Sequence, residues 1–207
     1  MKKFAVESEG TGTRLSLGRE AVRKALHLSA AVVPVLYSRG MAEAAVVDLL
    51  TGAAVVALLV EALRHKVSRV AEMFERAVGS LLRGRERETV TGATWLTLSC
   101  LAAVVLLPRP AAAATLWCAT AGDPAATLAG RAYFALRSPL ARNGKSAVGS
   151  AACLLTSVVG VWTLGHFSLG QATVIATAAT IAERARGPFD DNLRVSAAAG
   201  VTAWLSS

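Results

Sequence analysis

Seven apolar runs separated by charged connections constrain this chain more than any other feature. They cover residues 25–38, 45–63, 92–107, 111–136, 147–164, 171–183 and 193–205. Hydrocarbon offers the backbone no hydrogen-bond partner, so a segment that crosses it must be a helix or part of a closed barrel. A spanning helix needs about 20 residues at about 1.5 Å each. The runs therefore predict an all-α, polytopic transmembrane helix bundle of about seven spans. The first, sixth and seventh must extend into polar flanks, tilt little or thin the bilayer. A hydrophobic share of 54% and a mean hydropathy of +0.48 fit one membrane domain over residues 1–207.

Charge placement predicts the orientation. Of the 22 Lys and Arg residues, all but Arg39 and Arg109 fall in the N-terminal arm or in the second, fourth and sixth connections. Those segments share one side of a seven-span protein. The positive-inside rule puts that side, the N-terminus and the polar arm 1–19 in the cytoplasm, and the C-terminus outside. The expected location is a bacterial cytoplasmic membrane. The net charge of +8 is then explained by anionic headgroups, with no nucleic-acid partner. The arm lacks an apolar core followed by a small-residue cleavage site, so it does not read as a cleaved signal peptide. Cys100, Cys118 and Cys153 lie in apolar runs without CxxC spacing and are expected to be free buried thiols.

The longest connection, 64–88, carries Val67, Val70, Ala71, Phe74, Val78 and Leu81 at helical spacing, opposite Arg69, Glu72 and Arg76. This pattern predicts an interfacial amphipathic helix between the second and third spans, with Glu72 and Arg76 as an i,i+4 pair.

Within this apolar sequence, four polar constellations fall at the cytoplasmic ends of the runs. Glu20, Arg23, Lys24 and His27 share one helix face, suited to an anionic group or to plain anchoring. Gly122-Asp123-Pro124 interrupts the fourth run, where a carboxylate costs roughly 2.5–3.5 kcal/mol and calls for a counter-ion, a polar cavity or a metal. Proline breaks the ladder there, and Gly122, Ala126 and Gly130 lie below the acid on one face. Asn143-Gly144-Lys145-Ser146-x-x-Gly149-Ser150 opens the fifth run and offers a cation, hydroxyls and helix-start amides, a phosphate-cradle chemistry. It is not a Walker A loop, because Pro139 stands where that spacing requires glycine. Glu183 ends the sixth run and Asp190-Asp191-Asn192 opens the seventh. Asp190 suits an N-cap, whereas Asp191 and Glu183 suit a metal or a proton-accepting role.

These four motifs, in this order from Glu20 to Leu193, resemble the CTP-dependent polyprenol kinase family, which includes dolichol kinase, phytol kinase and fungal CTP-dependent diacylglycerol kinase. Two positions depart from its pattern: Val148 stands where a glutamate is common, and Arg194-Val195-Ser196 replaces a proline-containing run. The resemblance implies phosphoryl transfer from CTP, with Mg²⁺ or another divalent ion, to the hydroxyl of a membrane lipid alcohol. It also implies roles. Asp123 and Asp191 hold the metal. Lys145 and Ser146, with Gly122, Gly144, Gly149 and Ser150, contact the nucleotide. Glu183 accepts the hydroxyl proton, and Arg23, Lys24, His27 and Asn192 position substrate. A cytidylyltransferase acting on CTP and phosphatidate shares the Gly-Asp segment and Lys-containing loop, and a small transporter would also bury an aspartate beside a broken helix.

Overall fold

A computed structural model describes residues 17–137, 145–185 and 187–207, and every element among them is helical. In chain order these are α1 (Leu17–Ser29), α2 (Val32–Ser38), α3 (Glu43–Lys66), α4 (Ser68–Val78), α5 (Gly92–Leu106), α6 (Arg109–Trp117), α7 (Asp123–Arg137), α8 (Ala147–Leu164), α9 (Leu169–Arg184) and α10 (Asp191–Ser206). Each apolar run is thus helical. The first run is broken into α1 and α2 because Pro34 has no N–H and its ring crowds the carbonyl of residue 30. Three-residue turn bonds, Ala30 to His27 at 3.1 Å and Ala31 to Leu28 at 2.9 Å, bridge the break.

Among the described residues, α3 and α8 are long and apolar enough to cross a membrane, and α5 is apolar but shorter. Large apolar side chains face outward on α3 (Leu49, Val56, Leu59), α8 (Leu155, Val159, Trp162), α9 (Val174, Ile181) and α10 (Val201, Leu205). The interior holds two apolar clusters. One joins α2, α3, α5 and α6 around Tyr37, Val46, Leu96 and Leu116. The other joins α6, α8, α9 and α10 around Cys118, Val161, Ile175 and Val195. Ala111 to Ala114 on α6 are all fully buried, the small residues that let neighbouring helices approach closely. The three cysteines are free and buried, as expected.

Within the 64–88 connection the end of α3 runs to Lys66, α4 follows, and single 3₁₀ turns stand at Gly79–Leu81 and Gly84–Arg87. Val70, Ala71, Phe74, Val78 and Leu81 turn inward and are half-buried, while Arg69, Glu72 and Arg76 are exposed. Glu72 and Arg76 pair at 3.5 Å. Val67 leaves the stripe because it is the extended joint between α3 and α4. Arg64 fixes the far end of the connection. Its guanidinium donates to Glu61 at 2.6 Å and to the carbonyls of Glu86, Arg87 and Thr89 at 3.0, 3.2 and 2.6 Å, and it lies over the Phe74 ring at 5.0 Å. The other Glu61 oxygen accepts from the Thr91 amide at 2.8 Å and the Thr94 hydroxyl at 3.1 Å. One buried ion pair therefore sets where residues 86–94 sit.

Candidate active site

The fourth run is one helical path in which α6 passes through a wide π-turn, Cys118–Gly122, into α7. Proline explains the widening. The Asp123 amide donates back five residues to Cys118, so the next carbonyl, that of Ala119, is due a donor from residue 124. Residue 124 is proline and has none. His27 Nε2, on α1, donates to that orphan carbonyl at 3.0 Å, which turns Nδ1 toward Asp123 Oδ2 at 3.8 Å. Lys24, one turn earlier on α1, pairs directly with Asp123. Both side chains of this pair are almost wholly buried.

The same end of the bundle collects further charges. Glu20 lies 2.7 Å from Arg23, 3.6 Å from Arg83 and 3.8 Å from Arg131. Burial pushes the Glu20 carboxyl upward, but these three guanidinium groups outweigh it and hold the acid below the usual carboxylate range. Arg23 also reaches Glu86 at 3.9 Å, and Arg83 reaches Asp191 at 4.0 Å. Burial opposes the charge on Arg83; Glu20, Glu86, Asp191 and Asp123 together raise its affinity for the proton.

Lys145 closes the circle from α8. Its ammonium lies 2.9 Å from Glu183 Oε1 and 3.9 Å from Asp191 Oδ2, and it also meets the Glu183 carbonyl. Ser146 caps α8 by accepting from the Gly149 amide at 2.9 Å. Asp190 caps α10 by accepting from the Asn192 amide at 2.9 Å, as its position suggests, and Asp191 pairs with Arg194 one turn on. Asn192 is buried and donates to the Gly92 carbonyl at 2.9 Å, which ties α10 to the start of α5. Ser150 accepts from Arg184 at 3.1 Å. A cleft of about 440 Å³ opens beside this cluster, lined by Arg83, Lys145, Asp191 and Arg194 together with Trp95 and Phe189.

The structure thus joins Lys24, His27 and Asp123 in one buried set of contacts. Arg23, Glu20, Arg83, Asp191, Lys145 and Glu183 form a second chain of ion pairs, with Arg83 within electrostatic reach of Asp123. Gly122, Gly149 and Gly130 sit where neighbouring segments pack closely. A Cβ on Gly122 would stand 2.5 Å from Ser157 Oγ, one on Gly149 2.6 Å from the Ala126 carbonyl, and one on Gly130 2.8 Å from Ser146 Oγ. At these small residues α8 and the helical path around Asp123 approach each other closely. Asn143 and Gly144 lie outside the described residues. Sequence reasoning missed Arg83, Glu86 and Arg194 because the connections that carry them read as basic anchors. The available signal was Gly84-Arg85-Glu86-Arg87, a dense charge alternation just past the end of the amphipathic stripe.

Among the described residues, no three His, Cys, Asp or Glu side chains stand together as a metal cage. Asp123 already holds the Lys24 ammonium, and Asp191 holds Arg194. This donor set fits a divalent ion that brings its own phosphate and water ligands and takes one or two carboxylates from the protein.

No protein-family model matches the chain, and no solved structure matches it. The chain is similar to CTP-dependent diacylglycerol kinase 1 of Saccharomyces cerevisiae, with 28% identity over 150 residues, 72% of this chain and 51% of that protein. The chain therefore spans about half the length of this curated relative.

Proposed function

We propose that this chain is an integral membrane lipid kinase that moves the terminal phosphoryl group of CTP to the hydroxyl of a lipid alcohol of the diacylglycerol, polyprenol or phytol-like kind. The observation that carries the reading is a convergence. Glu20, Arg23, Arg83, Lys145, Glu183 and Asp191 are far apart in the chain yet form one chain of ion pairs beside a single charged cleft. The buried Lys24–Asp123 pair lies within electrostatic reach of Arg83. Similarity to a CTP-dependent diacylglycerol kinase supports the same chemistry.

The outward apolar faces and the basic end of the bundle support a seven-span arrangement with the site at the cytoplasmic surface, α4 lying along the interface and the N-terminus inside. Phosphoryl transfer depends on positioning and charge neutralisation more than on covalent help. Asp191 and Asp123 are the carboxylates that would hold Mg²⁺, which would supply charge neutralisation at the phosphates. At Asp123 the carboxylate is already paired with the Lys24 ammonium, a second cation that this end of α1 would present to phosphate. Lys145, Ser146 and Ser150 are assigned to the phosphates, and Arg23, His27 and Asn192 hold the surrounding groups in place.

When Lys145 swings from Glu183 to phosphate, the Glu183 carboxylate is released to take the proton of the lipid hydroxyl. The lipid oxygen then bonds to the γ-phosphorus, the bond from that phosphorus to the β-phosphate oxygen breaks, and CDP leaves. The test is to incubate purified protein with each of the four nucleoside triphosphates, Mg²⁺ and a panel of lipid alcohols, and to identify products by mass spectrometry. A phosphorylated lipid with matching nucleoside diphosphate is expected. Nucleotide left intact across the whole panel contradicts the reading.

A further inference from the structure

Resting on the kinase reading, we propose that the cleft beside Lys145 is the nucleotide's base pocket, with Trp95 and Phe189 taking the cytosine ring and Asp190 accepting from its exocyclic amine. The cleft is lined by two chemically distinct sets of side chains. Lys145, Arg83 and Arg194 all gather on Asp191, at 3.9 Å, 4.0 Å and in direct contact, and make one set cationic. The other lining residues include Trp95 on α5 and Phe189 and Asp190 just ahead of α10. Asp190 Oδ1 is used as the α10 cap. Its Oδ2 lies 3.8 Å from the position a Cβ would take on Gly92. Trp95 is half-buried, and Phe189 exposes 64% of its surface in the same cleft.

This division matches a nucleotide. Phosphates need cations; a base needs an aromatic face, and such stacking is sequence-tolerant because every base has a π-face. Choice among bases therefore has to come from hydrogen bonds at the ring edge. Cytosine presents an amine donor at C4, which a carboxylate accepts, whereas uracil presents a carbonyl there. A carboxylate oxygen facing that edge favours CTP and repels UTP. The 440 Å³ volume lies within the usual range of small-molecule pockets.

The decisive variant is Asp190→Asn. Asparagine is as good an N-cap as aspartate, so α10 keeps its start, while an NH₂ replaces the acceptor oxygen. Rates with CTP and with UTP, measured on the full chain with the same lipid, give the ratio of kcat/KM. The expected result is a fall of about tenfold or more in the CTP-to-UTP ratio, in part through a gain with UTP. Trp95→Ala should raise the KM for CTP and UTP alike, with little change in kcat. An unchanged ratio in Asp190→Asn overturns the assignment of Asp190, and an unchanged KM in Trp95→Ala overturns the pocket. Both of those results leave kinase activity intact; wild-type protein that turns over no nucleotide overturns the pocket and the kinase reading together.

Discussion

Removing Lys24 should destabilise the protein more than removing Lys24 and Asp123 together. The two side chains expose only 3% and 5% of their surface. At such depth two unit charges about 4 Å apart attract by roughly 4 kcal/mol even at an effective dielectric of 20. Leaving one partner of a buried pair alone typically costs about 3–5 kcal/mol. His27 Nδ1, 3.8 Å from Asp123, supplies a partial substitute, which puts Lys24→Met at the lower end, about 3 kcal/mol. In the double variant Lys24→Met/Asp123→Asn no charge is stranded, so most of that loss should return, to within about 1 kcal/mol of wild type. The assay is reversible unfolding in mixed micelles as the SDS fraction rises, followed by tryptophan fluorescence or circular dichroism. The restored double variant should still lack kinase activity, because Asp123 is also assigned to the reaction. A Lys24→Met protein as stable as wild type, or a double variant no more stable than the single, refutes the reasoning.

Lys145→Met should lose phosphoryl transfer by about a hundredfold or more. Because it leaves the buried Glu183 without its cation it should also lower stability, by less than Lys24→Met since the Lys145 ammonium is one-third exposed. Gly149→Ala should destabilise by about 1–3 kcal/mol in the same unfolding assay, because the new methyl meets the Ala126 carbonyl at 2.6 Å and backbone must shift. Arg64→Ala, which frees the carbonyls of Glu86, Arg87 and Thr89, should raise the KM for nucleotide through a displaced cleft wall, as read by initial rates. On pH, the folded Glu20 carboxyl is held below its unfolded value near 4.3, so its contribution is full above that value and is lost as pH falls through the lower folded one. Glu20→Gln should flatten that acid limb of the stability profile, measured by unfolding between pH 3 and 6.

The helical runs were legible because hydrocarbon tolerates few backbone solutions, and Asp123 stood out because a carboxylate is out of place among alanines. Its partner was not legible in the same way. Lys24 lies 99 residues earlier, on a face that equally suits anchoring, and only the packing of α1 against the π-turn joins them. The widening itself follows from Pro124, yet the spare Ala119 carbonyl has to be seen before His27 acquires a reason. Gly122 and Gly149 illustrate the converse. Small residues mark close approach, but whether a ligand or a neighbouring helix does the approaching depends on α8, which spacing along one helix does not reveal. The wall formed by Arg83 and Glu86 depends on Arg64 gathering three carbonyls, a tertiary arrangement with no periodic signature.

Label transfer from CTP separates the proposed chemistry from its nearest competitor. Purified protein is supplied with lipid alcohol, or with phosphatidate, and with CTP carrying ³²P at either the α or the γ position. Label from the γ position should appear in the lipid fraction of the alcohol reaction, with none from the α position. Transfer of α label to lipid with release of pyrophosphate would mean cytidylyl transfer and would contradict a kinase.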